Sequence, residues 1–154
     1  MTRAAVQIAI KHPKLQRLYD YWLEKRGARE MPSRADLDPL DMRFAIGDVI
    51  LVDVLDEDPP RFRIRLHGTN LSERTNFDLT GKMLDEMPAP EFRNLATRSF
   101  SRVVRTREPM HVLAERLLDD RHQRYEAILL PLSSIGDRID RLMVGMIYDP
   151  LGHT

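Results

Sequence analysis

The sequence predicts an α+β fold in which a five-stranded antiparallel sheet carries its central helices on one face and has an N-terminal helix. Three features of the 154-residue chain lead to this class. Two β-rich runs flank a turn with two prolines, a long amphipathic stretch occupies the middle, and three further strand-like runs follow one another. Hairpins at both ends with helices grouped between them are typical of α+β domains rather than of alternating α/β ones.

The first predicted element is a helix over residues 13–26. Pro13 suits the first helical position, where its missing N–H is not needed, and Gly27 suits the stop. Its apolar residues recur at the i, i+3, i+4, i+7 spacing of one helix face. They are Leu15, Leu18, Tyr19 and Trp22. This stripe has to pack on another surface.

A loop broken by Pro32 follows over residues 29–36, and a second, shorter helix is expected after it. Asp38 has the side chain of an N-cap, Pro39 stands at the first helical position, and Asp41 makes the first turn acidic. The pattern predicts a helix from there to about Ala45.

Two strands form the predicted hairpin, over residues 49–55 and 61–67. The first is nearly continuous in apolar residues, which indicates a strand that is buried on both faces. The second alternates, and period-2 alternation places its residues on two opposite faces. We expect Phe62, Ile64 and Leu66 on one face, with Arg61, Arg63, Arg65 and His67 on the other.

The remaining elements follow in a simple order. Residues 68–90 are irregular, with short helical turns. A long helix is predicted over 91–107, with Phe92, Leu95, Ala96, Ser99 and Val103 on one side and Arg98, Arg102 and Arg105 on the other. Strands are predicted over 110–118, 123–132 and 141–148, separated by turn residues.

Charge and composition exclude several classes of function. Lys+Arg and Asp+Glu are both 24, so no net charge draws the protein to nucleic acid or to an anionic membrane. The chain has no cysteine, which excludes disulfides and thiolate chemistry. The N-terminus does not have the composition of a signal peptide, and no apolar run approaches a membrane span. We therefore expect a cytoplasmic protein.

Short motifs resemble those of a known family. They are Arg65–Thr69 (RLHGT), Leu79–Gly81 (LTG) and Leu130–Ser133 (LPLS), preceded by Leu18–Trp22 (LYDYW), Met31–Arg34 (MPSR) and Asp38–Pro39. In combination, and with the order of the elements, they resemble the PAS domain, and in particular the stand-alone PAS proteins of alphaproteobacteria. The resemblance divides the chain into a helical lead-in packing on the sheet, residues 1–47, and a PAS-like domain, residues 48–150.

The resemblance implies a sensory or protein-interaction role in bacterial signalling, without catalysis. PAS domains often bind a small ligand between the sheet and the central helices, although many hold none, and they act through a partner protein. The identity of a cofactor stays unknown. Haem-binding members use a histidine on or beside the long helix, and residues 91–107 contain none; flavin photosensors form an adduct with a cysteine.

A ligand pocket is expected between the sheet and residues 68–104. Arg65, Thr69, Asn70 and Tyr125 are the candidate ligand-binding residues, because they flank the strand-to-helix junction or lie in the middle of a strand. No metal site is predicted, since the histidines form no ligand motif. His67 and His111 are both near strand ends and could approach each other.

The sequence leaves open the roles of two basic surfaces and an alternative function as an enzyme. The arginines of residues 61–65 could bind an anion, or they could pair with acidic residues on a solvated face. Arg98, Arg102 and Arg105 could form a partner surface or a solvated helix face. The alternative to a sensor is a small isomerase or hydrolase with a cone-like fold. Such an enzyme needs a buried carboxylate or histidine beside the pocket, and the sequence shows no clear pair.

The helix over residues 13–26 also bears on assembly. It can fold back onto its own sheet, or it can join a partner's helix in a two-fold dimer. Aromatic residues are enriched at interfaces, which favours the dimer. We therefore predict a homodimer whose interface includes Leu15, Leu18, Tyr19 and Trp22, with an unidentified signalling protein as a further partner.

Overall fold

The computed structural model describes residues 8–118 and 120–149, which form three helices, five strands and short 3₁₀ turns. The helices are α1 (Pro13–Arg26), α2 (Thr69–Thr75) and α3 (Pro90–Thr106). The strands are β1 (Val49–Val54), β2 (Phe62–His67), β3 (Met110–Leu118), β4 (Arg121–Leu132) and β5 (Arg141–Tyr148). The 3₁₀ turns are Arg34–Asp36, Ile46–Asp48 and Leu84–Glu86.

All five strands belong to one antiparallel sheet in the order β2-β1-β5-β4-β3. Helices α2 and α3 lie over one face, called here the inner face, and α1 packs against β4 and β5 on the other, the outer face. The predicted α+β architecture is thus confirmed, including the pairing of the three C-terminal strands with the first hairpin. β1 is buried along nearly its whole length, as its continuous apolar sequence indicated.

Helix α1 has the bounds that the sequence predicts, because its start and stop signals are both used. The His12 Nδ1 atom accepts a hydrogen bond from the Lys14 N–H at 3.1 Å, which caps the first turn. Pro13 occupies the first helical position. At the other end Gly27 takes a positive φ of 59°, a conformation that glycine adopts without a steric penalty.

The apolar stripe of α1 is buried on the outer face of its own sheet. Leu15, Leu18 and Trp22 have no exposed surface, and Tyr19 is 5% exposed. The Trp22 Nε1–H donates to the carbonyl oxygen of Pro131 in β4 at 2.9 Å. The helix therefore packs in cis, and the four residues expected at a dimer interface are already covered within the single chain.

Gly145 in β5 lets α1 approach the sheet closely. A Cβ atom at this position would lie 2.7 Å from Leu18 Cδ2 and 2.9 Å from Leu15 Cδ2. Any larger residue would have to displace both leucines, because protein interiors are packed too densely to absorb the contact. The absence of a side chain at this glycine thus allows α1 to pack directly against β5.

The helix predicted over residues 38–45 is wrong. The segment forms successive single turns, in which the N–H groups of Asp41, Met42 and Ala45 donate to the carbonyl three residues earlier. The Asp38 carboxylate accepts from the Leu40 N–H at 2.9 Å, a local turn that competes with helix formation. The loop expected before it contains the 3₁₀ turn Arg34–Asp36, where Asp36 accepts from the Ser33 N–H.

A shift in register between β1 and β2 changes the face of the last residues of β2. Leu51 pairs with Leu66 but Val52 pairs with Ile64, so one strand has an extra residue, as in a β-bulge. From that point the alternation is reversed. His67 comes to the inner face beside Ile64, and Leu66 goes to the outer face, which is the opposite of the predicted arrangement.

Glu126 in β4 ties the entry of α1 to the outer face. The side chain is fully buried, and its oxygens accept from the Lys11 N–H at 2.6 Å and the His12 N–H at 2.8 Å. His111 Nε2 lies 2.6 Å from the same carboxylate. Burial by itself would raise the pKa of Glu126, but these hydrogen bonds and the imidazole together lower it below the usual value.

We predict that Trp22→Ala lowers the free energy of unfolding by about 3–5 kcal/mol, because it leaves a cavity and removes the hydrogen bond to Pro131. Urea titration followed by circular dichroism measures the change, since Trp22 is the only tryptophan and its fluorescence is lost. Leu40→Ala, at a side chain that is 68% exposed, is the control and should change stability by less than about 0.5 kcal/mol. Equal stabilities for the two variants would contradict the packing of α1 in cis.

Glu126→Gln should lower the free energy of unfolding at pH 7 by about 1.5–3 kcal/mol, the worth of hydrogen bonds to a charged group. Because folding lowers the pKa of Glu126, the wild type keeps this stabilisation above the ordinary value of 4.5 and loses it as the pH falls below that value. Urea titrations between pH 7 and pH 3.5 should therefore show a shallower decline for Glu126→Gln. Glu24→Gln, at an exposed position of α1, is the control. If the stability of Glu24→Gln declined with falling pH as little as that of Glu126→Gln, the assignment of this pH dependence to Glu126 would be refuted.

Candidate functional site

A cavity lies between the inner face of the sheet and the segment that carries α2 and α3. Most of its lining is apolar, and the space that the centre of a water molecule can reach is about 70 Å³. The apolar lining residues are Ile50, Ile64, Leu71, Phe77, Leu79, Leu84, Met87, Phe92, Leu95, Ala96, Phe100, Val112, Ala127, Leu129, Val144 and Met146. The cavity is where the sequence places it, between the sheet and residues 68–104.

Six lining residues carry polar side-chain groups. They are His67, Thr75, Ser99, Arg116, Tyr125 and Tyr148. Three of them stand on the strands β3, β4 and β5, which fix their positions through the ladder of the sheet. Within residues 8–118 and 120–149, no aspartate or glutamate lines this cavity.

Arg116 is the unusual member of this group. The residue is 8% exposed, and its guanidinium carbon lies 3.6 Å from the centre of the Phe92 ring. Nη1 donates to the Tyr148 hydroxyl at 3.1 Å, whereas Nε is buried without any hydrogen-bond partner. Arginine is seldom buried unless a carboxylate pairs with it. Nothing in the part of the chain that the structure describes does so for Arg116.

Aromatic rings surround the guanidinium. The Tyr125 ring makes an edge contact with Phe92 at a centroid distance of 5.8 Å, and it lies 6.0 Å from the Tyr148 ring. Burial raises the pKa of Tyr125 to about 12 and raises the pKa of Tyr148, although Arg116 opposes both shifts. Both phenols are therefore protonated at neutral pH and offer O–H groups to the cavity.

His67 reaches the cavity because of the register shift in β2. Its Nδ1 atom accepts from the Leu79 N–H at 3.1 Å, so the neutral ring carries its proton on Nε2. Burial lowers the pKa of His67, and Arg116 lowers it further, although Asp78 acts in the opposite direction. The imidazole is thus neutral at pH 7, with an Nε2–H that no described residue accepts.

Gly68 forms the corner between β2 and α2. A Cβ atom at this position would lie 2.3 Å from the carbonyl oxygen of Gly47 and 2.9 Å from that of Val49. These are backbone atoms, so only glycine fits. The His67 N–H donates to Thr80 Oγ1 at 3.1 Å and completes the corner. The HGT sequence of residues 67–69 therefore forms the tight backbone turn that joins β2 to α2 at the wall of the cavity.

Only one of the four predicted ligand-binding residues lines the cavity, namely Tyr125. Arg65 lies on the outer face, where its Nε is 3.0 Å from both carboxylate oxygens of Asp53. Thr69 and Asn70 are exposed on α2, and the Asn70 amide donates to Asp48 at 3.0 Å. These three residues lie outside the cavity lining because closeness in sequence to the strand-to-helix junction does not bring a side chain to the inner face.

The residues that the prediction missed differ in how well the sequence marks them. Met110, Val112 and Ala114 alternate toward the inner face of β3, and Arg116 stands at the next position of the same alternation. An arginine on the apolar face of a strand is a readable signal. His67, in contrast, could not be found, because the simple alternation places it on the outer face.

The basic surfaces are largely paired or solvated. Arg61 contacts Asp85 at 3.0 Å and Arg65 contacts Asp53 at 2.9 Å, which confirms the interpretation of this strand face as one paired with acidic residues. His67 does not share that face. Arg98, Arg102 and Arg105 are exposed on α3, away from its apolar side.

His67 and His111 do not approach each other. His67 is on the inner face of β2 and His111 on the outer face of β3, which are the two edge strands of the sheet. Among residues 8–118 and 120–149 no group of three or more side chains is placed to hold a metal ion. The buried carboxylate Glu126 is on the outer face as well. His67 is a buried histidine beside the cavity, as the isomerase or hydrolase alternative requires, but no described carboxylate lines the cavity to form a pair with it.

No helix in the described part of the chain is long and apolar enough to cross a membrane.

Among the solved structures that are similar to this chain are two with low sequence identity to it. A domain of an HTR-like protein from Haloarcula marismortui has a TM-score of 0.44 and 15% identity, covering 66% of this chain and 98% of that one. A fungal LOV domain photoreceptor has a TM-score of 0.45 and 13% identity, covering 75% and 94%. The sequence matches none of the curated proteins.

A family match covers most of the chain. The PAS domain family, in general a sensory and non-enzymatic one, matches residues 10–147. That range includes α1, the helices over the cavity and the sheet except for the last residue of β5, Tyr148. The antiparallel sheet, the short helices after β2 and the long helix before β3 are the elements that the resemblance implied. The chain belongs to the PAS domain family.

Proposed function

We propose that this PAS domain is a sensory module that binds a small, largely apolar ligand in the cavity and signals through another protein. The observation that carries the proposal is the cavity itself, an apolar space that contains a buried guanidinium with an unused donor. Preformed apolar cavities with a few convergent polar groups are the usual form of a small-molecule site. The signalling partner is unidentified, and the proposal sets both proteins in the cytoplasm of a bacterium, which is the context that the resemblance implies.

The proposed response is a shift between arrangements of the helical cover. Residues 71–100 supply about half of the cavity lining, including side chains of α2 and α3. The sheet supplies the rest of the lining, and the hydrogen bonds between its strands hold it in place. A ligand that fits one arrangement of the cover better than another shifts the population toward it. The exposed surfaces of α2 and α3 would then present the change to a partner.

The binding proposal predicts that the protein purified from its natural host, or incubated with a library of small apolar compounds, carries ligand detectable by native mass spectrometry. Ala96→Leu adds three carbon atoms at a position of α3 that lines the cavity, so it should reduce ligand occupancy about tenfold or more. Asn94→Leu makes a similar change at an exposed position of the same helix and should leave occupancy unchanged. Equal occupancy in the two variants, or no bound compound in any of the three proteins, would contradict the proposal.

The homodimer stays a prediction, but the α1 stripe is not free to form it. Leu113 and Leu117 are 48% and 54% exposed on the outer face of β3, an edge strand that pairs only with β4. Two copies of such an edge can pair about a two-fold axis. We expect sedimentation velocity to show a concentration-dependent dimer that Leu117→Glu weakens and Ile135→Glu, at another exposed residue, does not. A monomer at all concentrations would contradict the dimer and leave the ligand proposal untouched.

A further inference from the structure

Among the described residues that line the cavity, Arg116 carries the only formal charge. His67 and the two tyrosines are neutral at pH 7, and no carboxylate of the described residues belongs to the lining. Arg74 brings a second cation to Tyr148, since its guanidinium carbon lies 5.0 Å from the centre of the Tyr148 ring. Arg74 is already paired with Asp149 at 2.8 Å. An unoccupied cavity would therefore hold one uncompensated positive charge in an apolar environment, which is unfavourable.

The unused part of the guanidinium has a definite shape. Nη1 is occupied by the Tyr148 hydroxyl, whereas Nε has no partner and Nη2 makes no hydrogen bond to a described residue. In arginine the Nε–H and the Nη2–H point in the same direction and form the side-on edge of the guanidinium. This edge donates two parallel hydrogen bonds to a planar acceptor, and a carboxylate matches it with both oxygens.

We infer that the ligand is a small carboxylic acid in its anionic form, with the carboxylate bound by the side-on edge of Arg116 and an apolar body among the aromatic and aliphatic residues of the cavity. The inference rests on the proposed function, since it names the class of ligand for the same cavity. The neighbouring Tyr148 hydroxyl, held by Nη1, fixes the guanidinium in orientation. Phe92 covers one face of the guanidinium and excludes water from it.

Two features favour a carboxylate over a phosphate ester or a neutral compound. A single guanidinium neutralises one negative charge, whereas a phosphate monoester brings between one and two at pH 7. A neutral compound could accept a hydrogen bond from Nε but would leave the positive charge uncompensated. The cavity is also small, since about 70 Å³ holds a few water molecules at roughly 10–15 Å³ each. The expected ligand is thus a short aliphatic or a single-ring aromatic acid.

The test compares acids with alcohols of the same shape on the full chain. Butanoate, hexanoate and benzoate are titrated against 1-butanol, 1-hexanol and benzyl alcohol, with phenyl phosphate as a further anion. Binding is followed by calorimetry and by ¹H–¹⁵N spectra of the arginine Nε–H groups, in which the Arg116 signal is the one absent from Arg116→Lys. We expect at least one acid to bind about tenfold or more tightly than its alcohol and to shift the Arg116 Nε–H signal.

Variants identify the group responsible. Arg116→Gln should abolish the preference for the acid, while Arg98→Gln, at an exposed position of α3, should keep it. If Arg116→Gln does not fold, the preference of the wild type and the shift of its Nε–H signal decide the question. These two readouts do not depend on any variant that removes the charge.

The remaining outcomes separate the inference from the proposed function. Alcohols that bind as tightly as the acids, without movement of the Arg116 signal, would overturn the carboxylate and leave a ligand-binding cavity. Tighter binding of phenyl phosphate than of benzoate would overturn the assigned class of anion. If neither series binds, the inference is wrong, and native mass spectrometry of the purified protein decides separately whether the cavity holds any ligand.

Discussion

The structure depends on one constraint: both faces of the sheet are apolar and must be covered within one chain. Helix α1 covers the outer face with a stripe that has almost no exposed surface, and it sits over Gly145 in direct contact with the strand. The segment from α2 to α3 covers the inner face less completely. The space left between this segment and the inner face is the cavity, so the candidate site results from unequal packing on the two faces of the sheet.

Each face of the sheet carries a buried charged residue, and the two residues differ in how completely their hydrogen bonds are satisfied. On the outer face the Glu126 carboxylate is fully buried, and two backbone N–H groups and a histidine satisfy it. On the inner face the Arg116 guanidinium is nearly as buried, but its Nε–H has no partner among the described residues and only Nη1 donates to one. A buried charge whose hydrogen bonds are complete serves structure, while one that is incomplete within the protein calls for a partner from outside it.

The sequence predicts the architecture well, because periodicity, prolines and glycines act locally. The bounds of α1, β3 and β5 agree with it, and β1 is doubly buried as its composition indicates. The site is less predictable. The register shift opposite Leu51 and Val52 depends on how two strands pair, and no local sequence pattern in β2 indicates it. His67 was therefore assigned to the wrong face, whereas Arg116, which continues the inner-facing alternation of β3, was detectable and overlooked.

We propose that the cavity beneath α3 is a binding site in which the ligand compensates the charge of Arg116. The decisive measurement is a crystal structure of the protein as purified, with any bound compound retained. We expect electron density between α3 and the inner face, with an acceptor atom about 3 Å from the Nε of Arg116. A cavity closed by side chains, with Arg116 paired to a carboxylate of the protein itself, would contradict it.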